Sequence, residues 1–165
     1  MASILNVDQI RNAAGTASAT IKSDGTFYPT GGIVQVVSDS ETSSVAMTSS
    51  YADYLSVNIT PKSSSSTMLV IANVPTYHGS AGSVGAMKLV RDSSNLNYEV
   101  ADYYHPSGTG VPGNLNIMMV DSPATTSQVN YKIQIKEESG SVETNKDYNG
   151  TVNGISSLIV MEIAG

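Results

Sequence analysis

Apolar and polar residues alternate along much of this chain. Val129, Tyr131, Ile133 and Ile135 are separated by Asn130, Lys132, Gln134 and Lys136. A period of two places all four apolar side chains on one face, as in a strand half-buried on a core. Leu55, Val57 and Ile59 alternate with Ser56, Asn58 and Thr60, and Pro61 closes the run. Residues 67–74 (TMLVIANV) and 158–163 (LIVMEI) are apolar on both faces, which predicts central strands or strands covered by another subunit. Residues 33–37, 85–91, 98–103 and 115–121 complete a set of about eight. No stretch keeps a 3.6-residue period, a heptad or an internal repeat.

Turn chemistry separates these runs. Lys62 and the serines at 63–66 link two strands, Asp92-Ser93-Ser94-Asn95 reads as a hairpin loop, and Asp121-Ser122-Pro123 ends a strand. Asn149-Gly150 and Asn153-Gly154 suit turns that need positive φ. Eight short strands at this spacing predict an all-β fold, a jelly-roll-type antiparallel β-sandwich over residues 33–165.

Residues 1–32 differ from the rest. Ile4, Leu5, Val7 and Ile10 mark a short amphipathic stretch; small residues follow from Asn12 to Thr20; Ser23-Asp24-Gly25-Thr26 signals a turn; and Pro29-Thr30-Gly31-Gly32 reads as a hinge. A segment this poor in core residues needs another surface to order it. It is read as a short extended or partly helical N-terminal anchor, with Ile4, Leu5, Val7 and Ile10 as the attachment residues.

Composition narrows the function. Charged residues make up 13% of the 165, roughly half the usual share; Ser and Thr fill the polar positions, as suits strands and turns. The net charge is −6 with only 8 Lys and Arg, which argues against nucleic acid and against anionic membrane surfaces. The apolar runs are too short to cross a bilayer. With no cysteine, disulfides, thiolate metal sites and cysteine nucleophiles are excluded. The opening residues carry no basic region and no unbroken apolar stretch, so a secretory signal is not expected. A protein made in the cytoplasm yet built like an outward-facing β protein fits a virus particle.

Catalytic chemistry finds little support, and no enzyme, cofactor or metal is expected. His78 and His105 lie in Gly-, Ser- or Pro-rich stretches and read as exposed loop histidines, with no Gly-x-Ser-x-Gly elbow and no metal-ligand spacing nearby. The string at 145–150 (NKDYNG) resembles the start of a calcium loop, but its leading Asp is Asn145 and its twelfth position is Ser156; it reads as a hairpin. Glu137 and Glu138 are adjacent on a strand and point to opposite faces. The Asn-x-Thr matches at Asn58 and Asn149 are read as chance. Nine tyrosines against one phenylalanine favour contact surfaces. Tyr103, Tyr104 and His105, beside a Gly-rich loop, are the most site-like group: ring caps or subunit contacts on one reading, contacts to a host-surface glycan or receptor on the other.

The opening ILNVDQIRNAAGTASATIKSDGTFYPTGGIVQVV resembles the N-termini of virion structural proteins of marine bacteriophages, cyanophages especially. The strings LSVNITPKSSSSTMLVIANV, KLVRDSSN, MMVDSPATTSQVNYKIQIK and SSLIVMEIAG resemble the matching β-domain. The resemblance runs from about Ile4 to Gly165. It implies a tail-fibre-like, head-fibre, knob or capsid-decoration protein: a homotrimer attached through its N-terminus to capsid or tail proteins, with the β-domain facing out. It carries no catalytic or receptor residue with it. The two-sided apolar runs independently predict that copies of the chain cover one another.

Overall fold

The structure is a computed structural model; it describes residues 8–21, 23, 25, 27–96, 99–103 and 110–165, without the Tyr103 side chain. Among the described residues all thirteen elements are strands. Three short ones, β1 (Gln9–Arg11), β2 (Ala17–Ile21) and β3 (Phe27–Pro29), form an antiparallel sheet of their own, sheet A. Eight main strands follow: β4 (Ile33–Glu41), β5 (Ala52–Ile59), β6 (Thr67–His78), β7 (Val84–Arg91), β9 (Val100–Tyr103), β10 (Val111–Asp121), β11 (Val129–Ser139) and β13 (Ser156–Ile163). The minor strands β8 (Ser94–Asn95) and β12 (Val142–Thr144) extend their edges.

The main strands form two layers. Sheet B has the order β10-β6-β13-β4, with β12 continuing the track of β13 beside β6. Sheet C has the order β5-β11-β7, with β8 and β9 both on the far edge of β7. Successive strands cross between layers, β4 to β5, β6 to β7 and β10 to β11, which is the jelly-roll arrangement. The eight runs anticipated from alternation correspond one for one to the eight main strands.

Alternation produces the core. On β6, Met68, Val70, Ala72 and Val74 face in; on β13, Leu158 and Val160; on β11, Val129, Tyr131, Ile133 and Ile135; on β5, Leu55, Val57 and Ile59. Met87 and Leu89 of β7 and Leu115 and Ile117 of β10 close it. Burying side chains of this size contributes about 1.5–3 kcal/mol each. Asp92 and Ser93 make the two-residue turn between β7 and β8, Asp92 at φ 54°.

One local reading is narrowed and one changes. The stretch around Ile10 is a strand, because the Asn12 carboxamide accepts the Thr16 N–H and Gly15 at φ 83° closes a hairpin; Ile4, Leu5 and Val7 lie outside the described residues. Gly154 is not at positive φ. It is glycine because a Cβ there would come within 3.0 Å of the Asn145 Cα, and Asn145 itself takes the left-handed conformation at φ 59°. Sheet A is tied to the sandwich at one end. The Tyr28 hydroxyl meets Ser66 Oγ at 2.5 Å, Gly31 N–H donates to the Ala164 carbonyl, and Ala164 N–H donates to Gly32.

Candidate functional site

The outer faces of the two sheets are chemically opposite. On sheet B, cross-strand register aligns Val36, Met161, Leu69 and Val120 in one row and Ser38, Ile159, Ile71 and Met118 in the next. Ile33, Ile163 and Thr67 make a third. Partners in register share a face, and these point away from the core. The flanking strands leave their apolar groups most open: Met118 is 75% exposed, Val120 59%, Ile33 58% and Val36 53%. Further along the face come Ser40, Ser157, Asn73 and Asn116, then Pro75 and Asn114. No residue in these rows is charged. Charge returns only at the end, where Glu143 beside Tyr77 pairs with Lys146 at 2.6 Å.

Sheet C presents ions and amides instead. Lys132 Nζ lies 2.8 Å from Asp53, whose carboxyl is held below its ordinary range by hydrogen bonds from Lys132 and Gln134. Asn130 donates to Ser56 and Asn58. The Tyr51 ring lies under Lys88 at 4.0 Å and Lys136 at 4.7 Å, and its hydroxyl donates to Glu99. Burial, then the hydrogen bond to and charge of Glu99, push the Tyr51 hydroxyl up. Both lysines lie against this ring. Glu137 and Glu138 do part company: Glu137 accepts Val142 N–H, and Glu138 pairs with Lys136.

His78 is not an exposed loop residue. β6 continues through Pro75 to residue 78, paired to Val111, and turns His78 inward to 1% exposure. Pro75 is tolerated because its carbonyl accepts Asn145 N–H in the gap between β13 and β12. The N and O of a strand residue point to the same side, so the absent N–H falls in that gap and not in the β10 ladder. His78 Nε2 lies 3.2 Å from Asp102 Oδ2, to which Thr76 Oγ1 also donates at 2.5 Å, while Gly85 N–H reaches Oδ1 at 3.2 Å. Burial works to raise the Asp102 carboxyl, but the hydrogen bonds from His78 and Thr76 outweigh it and hold the group below its ordinary value. The hydroxyl donates to the carboxylate and Thr76 is wholly buried. A nucleophile needs the opposite: a hydroxyl facing substrate, with the histidine between it and the acid. The cluster is a clasp joining β6 of sheet B to β9 of sheet C.

Two further clasps escaped sequence reasoning. Asn145, fully buried, donates to the carbonyls of Glu41 and Ser43 and accepts from Ser156 Oγ. Glu162, also buried, accepts Lys62 N–H at 2.7 Å and Gln35 Nε2 at 2.5 Å. The residue types gave no signal, because each gains its role mainly from partners a hundred or more positions away.

Of the residues singled out in advance, Tyr104 and His105 lie outside the described residues. Tyr103 ends β9, its backbone paired to Val84. Ile10 is 48% exposed on β1. Among the described residues no group of three metal-ligating side chains comes together.

The architecture defines a jelly-roll β-sandwich with one uncharged apolar outer face. No family model matches the chain, and no curated protein matches it. Among solved structures, it is similar to the VP2 subviral particle of infectious bursal disease virus, at 9% identity and a TM-score of 0.45 over 78% of this chain and 39% of that one. A structure of the Gt strain of the same virus matches at 12% identity and a TM-score of 0.41, over 90% and 47%. The chain thus spans less than half of these proteins. TmCBM61 in complex with β-1,4-galactotriose matches at 12% identity and a TM-score of 0.33, over 74% and 86%. These are likenesses of outline, and they transfer no residue, ligand or partner to this chain.

Proposed function

We propose that this chain is a non-enzymatic structural component of a bacteriophage virion: an outward-facing trimeric appendage, a short fibre, knob or capsid decoration. It is made in the host cytoplasm and held to capsid or tail proteins through its N-terminal segment, with Ile4, Leu5, Val7 and Ile10 as contacts. The carrying observation is the outer face of sheet B, apolar across all four strands and without charge. A sandwich that presents such a face opposite a polar, charged one is built to be covered on one side and wetted on the other. The resemblance of the chain's strings to virion structural proteins supplies the particle as the setting.

Mass spectrometry and antibody labelling of purified particles test this. The chain is expected at stoichiometric copy number and lost from particles when residues 1–32 are deleted. Its absence from particles would remove the reading. A second reading, a module that binds host-surface glycans, is favoured by Tyr148, which is 69% exposed, and by Tyr77, whose hydroxyl lies close to Gly110 and Gly150. Tyr148→Ala should then lower adsorption to host cells without altering assembly.

A further inference from the structure

We infer that the sheet B outer face is covered by the sheet B faces of neighbouring copies of this chain, packed around the axis of the trimer. The inference rests on the proposed function's reading of that face as a covered surface, and it names the partner. Three observations point to a copy.

The first is charge. Each chain carries a net −6, so two copies repel wherever charged surfaces meet; the rows from Ile163 to Asn114 carry no ionisable group and let two acidic chains approach. A basic partner would gain nothing there, having no carboxylate to meet.

The second is area. The uncharged rows run from Thr67 to Pro75 on β6, roughly 30 Å, and four strands span roughly 19 Å. With β4 and β13 shorter, the face is on the order of 500 Å². That is more than half of the roughly 800 Å² per partner in a standard stable interface.

The third is layout. The most exposed apolar side chains sit at both edges, Met118 and Val120 on β10 and Ile33 and Val36 on β4. Whichever edge of one copy meets whichever edge of another, apolar meets apolar, and the Asn and Ser rows supply an uncharged rim.

The test is light scattering and sedimentation of the full-length chain at micromolar concentration, with Met118→Lys, Val36→Lys and the sheet C control Asn58→Lys. All three sites are exposed, so the subunit fold survives, and circular dichroism checks that it does. Wild type and Asn58→Lys should be oligomeric. Met118→Lys and Val36→Lys should each weaken association roughly 100-fold, the effect of one uncompensated charge in a closed interface. Association should tighten with added salt, which screens the repulsion between acidic copies. A monomeric wild type, or an oligomer indifferent to both lysines, overturns the inference. So does a monomer whose face is covered only within particles, because another particle protein would then be the occupant. The proposed function fails separately: a chain that oligomerises as expected but is absent from particles refutes the virion reading alone.

Discussion

Gly113 is the most sensitive test of how the two sheets are joined. A Cβ there would lie 2.5 Å from Asp102 Oδ2, 2.5 Å from Thr76 Oγ1 and 2.8 Å from His78 Nε2, so Gly113→Ala drives a methyl into the clasp. Either the clasp strains, at about 1–3 kcal/mol for overpacking, or it opens and leaves a buried polar group unpaired, at a similar cost of about 1–3 kcal/mol. Alanine suits a strand interior better than glycine and returns about 0.5–1 kcal/mol. The net expectation is a loss of about 1 kcal/mol. For a domain of this size that is a fall of roughly 2–4 °C in Tm. Urea unfolding followed by circular dichroism measures the loss. The same change in an Asp102→Ala background removes one of the colliding atoms, so the two costs should fall short of additivity by at least about 1 kcal/mol. A Gly113→Ala protein as stable as wild type, or costs that simply add, would refute the clasp.

Other perturbations follow from the same contacts. The folded Asp102 carboxyl lies below its ordinary value of 3.8, so its contribution is fully present above that pH and is lost as pH falls from there through the folded value. Wild type should therefore lose stability below about pH 4 more steeply than Asp102→Asn, as thermal melts between pH 7 and 2.5 would record. Asn145→Ala removes the donor to Glu41 and Ser43 and places alanine at φ 59°; a loss of about 3 kcal/mol is expected in urea unfolding. Tyr28→Phe breaks the bond to Ser66 and should speed proteolysis within residues 8–30 while leaving the sandwich resistant.

The sandwich was legible because its strands obey a local rule. β11 alternates from Val129 to Ile135 and β5 from Leu55 to Ile59, and the two-sided runs proved to be the neighbours β6 and β13 at the centre of sheet B. The layers follow from those patterns. The clasps do not. His78 sits between Tyr77 and Gly79, a context that reads as loop, and only pairing with β10 carries β6 past Pro75 and turns the ring toward Asp102. Asn145 looks like turn residue or calcium ligand until its partners at 41, 43 and 156 are in place. The outer face of sheet B was half visible: the apolar residues of β6 and β13 stood out, whereas the exposed Met118 and Val36 gain meaning only through register. The expected glycan-contact group at Tyr103, Tyr104 and His105 has no described side-chain geometry.

The central claim is that the sheet B face is covered when the protein does its work. Peroxide footprinting of methionine tests it directly, since thioether oxidation follows solvent access. Met118 is 75% exposed in the single chain, whereas Met68 and Met87 are wholly buried and set the protected rate within the same sample. In the assembled protein, Met118 should oxidise close to the rate of Met68. Oxidation of Met118 at the rate of free methionine, in solution and on particles alike, would contradict the account.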